Sequence, residues 1–112
     1  MNSEKDMLTT LTLELRRGTL ILSVLSQLKD AKYGYALVQM LENKGITIDP
    51  STLYPLLRRL EKQELLISEW DMRESKPRKY YRRTDYGNLV YEKLKLQWTE
   101  MAKDMTRLLE EE

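Results

Sequence analysis

The chain has 112 residues, 41% hydrophobic and 33% charged, with a formal net charge of +1 and a mean hydropathy of −0.61. That length suits one domain with a single modest core, and the composition lies in the globular range, too polar for a membrane protein. The sequence contains no cysteine and no histidine, which removes disulfides, thiol nucleophiles, zinc-finger ligands and serine–histidine pairs. An enzyme is therefore not expected, nor a catalytic residue, a metal site or a cofactor. No basic-then-apolar leader opens the chain, and no apolar run approaches the roughly 18 residues of a spanning helix. The expected location is the cytoplasm, without a membrane partner. The distribution of charge is more informative than its sum. Arg73 to Arg83 holds six Lys/Arg and one Glu, whereas Glu100 to Glu112 holds five acids and two bases.

Residues 1–17 are ambiguous: Leu11, Leu13 and Leu15 alternate with period two, while the residue types also allow an amphipathic helix, the preferred assignment. Thr19 to Leu28 is apolar on nearly every side and predicts a helix buried between other elements. Lys29 to Lys32 interrupts that pattern. Leu37, Val38 and Leu41 then recur at helical spacing until Gly45 ends a second helix. After a short extended piece, Ile46 to Ile48, Asp49 is a suitable N-cap and Pro50 a suitable first residue for a third helix running to about Gln63.

At about 100° per residue, Leu53, Leu56, Leu57 and Leu60 share one face of this third helix, and Ser51, Pro55, Arg58 and Lys62 lie opposite. Tyr54 and Arg59 flank the exposed side. Small polar residues and an aromatic followed by Arg and Lys are what a helix needs to enter a major groove and reach bases and phosphates. An ordinary solvated helix has the same composition. Pro55 removes a backbone hydrogen bond and is expected to bend the helix start.

Leu65 to Asp71 and Arg78 to Arg83 predict two strands around a polar, Pro-containing turn. Their cations could lie along a phosphate backbone or simply protect an edge strand. The position directly after a polar-faced third helix favours a DNA-binding wing. Thr84 can cap a last helix from Asp85 to about Glu110, where Tyr91, Leu94, Trp98, Met101, Met105 and Leu108 recur at spacings of three and four. Roughly 26 helical residues span about 39 Å, more than a core of this size covers, so the distal stripe calls for a second copy of the chain. Trp98 with Met101 either fills that interface or lines an adaptable pocket. The fold class expected is mainly α with a small β-hairpin.

These segments resemble the PadR-like regulators over about residues 17 to 108. The resemblance is carried by Arg17-Gly18-Thr19, by Tyr33-Gly34-Tyr35, by the string from Thr52 to Lys62 (TLYPLLRRLEK), and by Arg78-Lys79-Tyr80-Tyr81 followed by Thr84 and Gly87. It implies a winged helix-turn-helix with a long C-terminal dimerisation helix, acting as a homodimeric repressor on double-stranded operator DNA with an inverted repeat. It further implies a division into an N-terminal arm or helix contributing to the dimer (1–17), a DNA-binding winged helix-turn-helix (18–84) and a dimerisation helix (85–112).

Carried over by position, Tyr33, Ser51, Thr52, Tyr54, Arg58 and Lys62 face DNA from the helices, and Lys76, Arg78 and Lys79 from the wing. Leu94, Trp98, Met101, Met105 and Leu108 would form the dimer interface. The chain is short for the family and is similar to its compact branch, some members of which bind flat, often cationic drugs between paired tryptophans. Trp98, with Met101, stands at the matching place. One turn later, however, the sequence has Ala102 and then Lys103, so a neutral or anionic small aromatic effector is equally admissible. A winged helix serving only as a protein-interaction module is the other class to distinguish.

Overall fold

The computed structural model, which describes residues 3–111, orders the chain as α1 (Ser3–Arg17), α2 (Leu20–Ser26), β1 (Lys32–Tyr33), α3 (Gly34–Asn43), α4 (Pro50–Lys62), β2 (Leu66–Asp71), β3 (Arg78–Arg83) and α5 (Asp85–Glu110). Residues 1 and 2 of the N-terminal segment, and residue 112 of the C-terminal one, lie outside the described residues. The fold is thus mainly α with a small antiparallel sheet. That sheet has three strands in the order β1-β3-β2 rather than the two expected. The extra strand comes from the Lys29 to Lys32 break: Lys32 pairs with Tyr81 and Tyr33 with Tyr80. Two residues are too few for any period-two pattern to appear. Conversely, Ile46 to Ile48 joins no strand, although Ile48 is buried.

The core gathers Val24, Leu25 and Leu28 around α2, Leu37 and Leu41 of α3, and Ile48. Leu53, Leu56, Leu57 and Leu60 of α4 complete it with Leu66 of β2 and Tyr81 of β3. All four leucines predicted for the inward face of α4 are in it. Helix ends are closed by local chemistry. Asp49 Oδ1 accepts from the Ser51 N–H (2.8 Å) and from the Ser51 hydroxyl (2.7 Å), capping α4. Gly45 ends α3 at φ 87, and the Ile46 N–H returns to the Leu41 carbonyl (2.8 Å) while Gly45 N–H bonds Glu42, a Schellman closure.

The same closure ends α4 with no glycine. Glu64 takes φ 65, and Leu65 N–H donates to the Leu60 carbonyl (3.0 Å).

Two helices carry apolar surface that this core does not use. α1 buries none of its residues, leaving Met7, Leu8, Leu11, Leu13 and Leu15 exposed; Arg16 Nη1 donates to the Gly45 carbonyl (3.2 Å) at its C-terminal end. α5 runs 26 residues. Tyr91 and Leu94 pack against the core, but Trp98, Met101, Met105 and Leu108 are exposed.

Candidate nucleic-acid interface

α4 is a two-faced helix by composition. Its leucine face is buried, and Ser51, Thr52, Tyr54, Pro55, Arg58, Arg59 and Lys62 are all exposed. The β2–β3 hairpin stands beside this face, because Leu66 and Tyr81 anchor it in the same core. Two clefts open between helix and hairpin. Pro55, Arg58, Arg59, Glu61, Lys62 and Lys79 line one. Tyr33, Tyr54, Arg58, Trp70, Arg78 and Lys79 are among the residues lining the other. Arg58 and Lys79 belong to both, so five of the nine residues expected at DNA (Tyr33, Tyr54, Arg58, Arg78 and Lys79) meet in one place. Ser51 and Thr52 sit at the N-terminal tip of α4, and Lys76 is exposed in the turn between β2 and β3.

Tyrosine packing builds the floor. The Tyr33 ring meets Tyr80 edge-on at 5.4 Å between centroids, and the Arg78 guanidinium lies over Tyr33 at 4.6 Å. Tyr54 rests on Gly34: a Cβ at residue 34 would lie 2.2 Å from Tyr54 Cε1. The glycine of the Tyr33-Gly34-Tyr35 motif therefore makes room for an aromatic ring on the next helix, a pairing invisible in the sequence.

The basic cluster is not uniformly free. Arg73 is held by Asp71 (2.7 Å), whose carboxyl is lowered to about 2 by the Arg73 side-chain and backbone hydrogen bonds. Arg78 pairs with Glu74 (3.4 Å), which with Tyr33 raises its pKa further above the ordinary arginine value. Lys79 Nζ pairs with Glu61 Oε1 (3.3 Å), both side chains about two-thirds covered. The other Glu61 oxygen accepts from the Ser68 hydroxyl. That hydrogen bond, joined by Lys79 and opposed by burial, lowers the Glu61 pKa. Arg83 turns inward: Nη1 donates to the Leu25 carbonyl and Nε to Asn88 Oδ1, each at 2.9 Å, over the Tyr91 ring at 4.2 Å. Among the described residues, Arg58, Arg59, Lys62, Lys76 and Arg82 form no ion pair.

Sequence reasoning assigns no site role to Trp70, nor to Gly34 and Glu61, which it shows only as members of the motifs that carry the resemblance. On α5, Trp98 lines a shallow surface depression with Thr99, Ala102, Lys103, Thr106 and Arg107; Met101 is outside that lining. No group of three or more potential metal ligands occurs among the described residues. No helix among them is long and apolar enough to cross a membrane.

A helix with a polar outer face behind a shared core, followed by a cationic hairpin, defines a winged-helix DNA-binding protein. Comparison with known proteins specifies the class. The model of the transcriptional regulator PadR-like family matches residues 21–93. A transcriptional regulator of Mycobacterium tuberculosis is 32% identical over 93 residues, 82% of this chain and 87% of that protein. A solved PadR family transcriptional regulator from Eggerthella lenta is 52% identical, superposes with TM-score 0.91 and covers 96% of each chain. A transcriptional regulator from Clostridium thermocellum is 30% identical with TM-score 0.78, covering 84% of this chain and 96% of its own. The chain belongs to the PadR-like family and is a transcriptional regulator, not an enzyme.

Proposed function

We propose that the protein is a repressor that binds an inverted-repeat operator as a homodimer in the cytoplasm. In this reading 18–84 is the DNA-binding unit, and 1–17 with 85–112 supplies the dimer contact. α4 enters the major groove, where Ser51, Thr52, Tyr54 and Arg58 read bases while Tyr33, Lys62, Lys76 and Arg78 steer towards phosphates. The observation that carries the reading is the cleft in which Tyr33, Tyr54, Arg58 and Arg78 converge beside an α4 face free of core packing.

The dimer rests on a second observation. Exposed apolar residues share one side of α1 (Met7, Leu8, Leu11 and Leu15) and one side of distal α5 (Trp98, Met101, Met105 and Leu108), more than scattered surface leucines explain. Two copies related by a twofold axis would set their α4 helices one DNA turn apart, roughly 34 Å. The depression beside Trp98 carries Lys103 and Arg107, each paired with an acid on the same helix, Glu100 and Asp104, so the local charge is balanced and the aromatic ring of Trp98 is what supports a small aromatic effector there.

The test is a titration against DNA upstream of the protein's own gene and against shuffled DNA, at several salt concentrations. Preference for the upstream DNA as a dimer-sized complex supports the reading. Arg58→Ala should lower that preference by about tenfold per half-site, the loss of one good base contact in each, whereas Lys76→Ala should weaken both DNAs alike and reduce the salt slope by about 0.9 per protomer, about 1.8 for the dimer. Equal, salt-insensitive binding to both DNAs would overturn it. Effector binding is read by Trp98 fluorescence in a Trp70→Phe background, since the chain has two tryptophans.

A further inference from the structure

Of the cations lining the clefts, Lys79 is the one whose charge is met by a carboxylate on the DNA-facing helix itself. It lies on β3 at the position before Tyr80, on the same strand face as buried Tyr81, and therefore points towards α4. Its Nζ is 3.3 Å from Glu61, 5.3 Å from the Tyr81 ring centroid and 5.9 Å from that of Trp70. Glu61 is fixed from the other side by Ser68 of β2. The carboxylate thus spans both strands of the hairpin and stands in a cleft otherwise lined by Pro55 and the four cations Arg58, Arg59, Lys62 and Lys79.

A solvated glutamate placed at random would not be held by two groups, nor would it lie among four cations. We infer that Glu61 is a specificity-determining residue that withholds Lys79 from the DNA backbone and so lowers sequence-independent affinity. Nonspecific binding rests almost wholly on phosphate neutralisation. Each cation kept from phosphates therefore reduces the background against which base contacts by Tyr54 and Arg58 must compete. The lysine stem is flexible enough to leave its pocket once the carboxylate charge is gone, because an ammonium is a point charge with no fixed fork to satisfy. This inference depends on the proposed function only in requiring that the cleft meets DNA.

Glu61→Gln keeps the volume and can still accept from Ser68, so the hairpin keeps its tie to α4 while Lys79 loses its counter-charge. On random-sequence duplex DNA, the variant should bind with a salt slope steeper by about 0.9 per protomer, one additional phosphate contact each, or about 1.8 for the dimer. Equivalently, the dimer's ratio of dissociation constants between about 50 and about 200 mM salt should grow by about 12-fold. Adding Lys79→Gln to Glu61→Gln should return the slope to the wild-type value. Ser68→Ala, which removes the mechanical tie but leaves the carboxylate facing Lys79, should leave the slope where it is in the wild type.

A slope unchanged in Glu61→Gln, a steepening that survives in the double variant, or an equal steepening in Ser68→Ala would each overturn the inference. Far-ultraviolet circular dichroism on every variant checks the fold. Should Glu61→Gln unfold, Glu61→Asp takes its place: its shorter carboxylate draws back from Nζ, and the same steepening is expected on a smaller scale, its absence counting against the inference. Wild-type protein that binds no DNA would instead refute the proposed function, an outcome distinct from all of these.

Discussion

The same added methyl group should have opposite consequences at two glycines of this protein. At residue 87, in the first turn of α5, a Cβ would lie 2.0 Å from the Leu65 carbonyl oxygen and 3.0 Å from its carbon. Neither can yield. The Leu65 carbonyl already accepts the Thr84 N–H at 3.1 Å, and Gly87 N–H donates to Thr84 Oγ1 at 2.8 Å, so α5 would have to lift from the start of β2. Overpacking of this kind costs about 2–3 kcal/mol. Less the gain of about 0.5–1 kcal/mol from replacing a helical glycine, Gly87→Ala should lower Tm by on the order of 10 °C.

At residue 34 the obstacle is the far end of the Tyr54 side chain, at 2.2 Å from its Cε1, and that ring is 39% exposed and can swing outward. Gly34→Ala should therefore change stability by less than about 1 kcal/mol while lowering operator preference about tenfold per half-site, because in the proposed function the ring it displaces reads DNA. Thermal melts at fixed protein concentration, paired with operator and random-DNA titrations, measure both effects. Placing Gly34→Ala in a Tyr54→Ala background isolates the coupling. If Gly34→Ala loses preference there as strongly as in the wild type, or destabilises as much as Gly87→Ala, the reasoning is refuted.

Three further outcomes are expected. Met105→Glu puts a charge on the exposed distal stripe of α5 and should shift light-scattering mass towards the monomer at micromolar concentration, with half-site cooperation lost in DNA binding; an unchanged mass would count against the seam. Arg83→Ala removes the donors to the Leu25 carbonyl and Asn88 and the stack on Tyr91. Urea unfolding should register a loss of about 2–3 kcal/mol, with Arg83→Lys giving little rescue because a lysine cannot span both acceptors in a plane. The Asp71 carboxyl should titrate by nuclear magnetic resonance near its lowered value of about 2 and return towards the ordinary 3.8 in Arg73→Ala. Since the folded-state value is depressed, whatever this pair adds to stability is present above the unfolded value and lost as pH falls towards 2.

Much of the fold was legible because its signals are local and repeated. The leucine face of α4, Asp49 with Pro50 before it, Gly45 closing α3 and Thr84 opening α5 each depend on residues within one or two turns of one another. What escaped depends on distant pairs. β1 exists only because Tyr33 finds Tyr80, 47 positions away in sequence, and no pattern within Lys29 to Lys32 announces it. Glu64 ends α4 in a left-handed conformation where a glycine would ordinarily signal the stop, so the end was marked by the fading of the apolar pattern alone. The heptad on α5 was a single stripe by spacing. The fold divides it, with Tyr91 and Leu94 serving the protein's own core and only the residues from Trp98 onward left outside.

Charge shows the same limit most sharply, and there it bears on function. Counting along the chain finds six cations between Arg73 and Arg83 and suggests a broad electrostatic footprint. In the fold, Arg73, Arg78 and Lys79 each meet a carboxylate and Arg83 points inward, so Lys76 and Arg82 are the outward members of the cluster without an acidic partner among the described residues. The Arg78–Glu74 pair is exposed on both sides and screened by salt, so it leaves Arg78 available to a phosphate. Lys79, largely covered and met by a carboxylate that Ser68 also holds, is not available in that way. A regulator that must leave nonspecific DNA to find an operator gains from such sorting. In the proposed function, few free cations on the wing, set against base-reading side chains on α4, would keep the sequence-independent term small relative to the specific one.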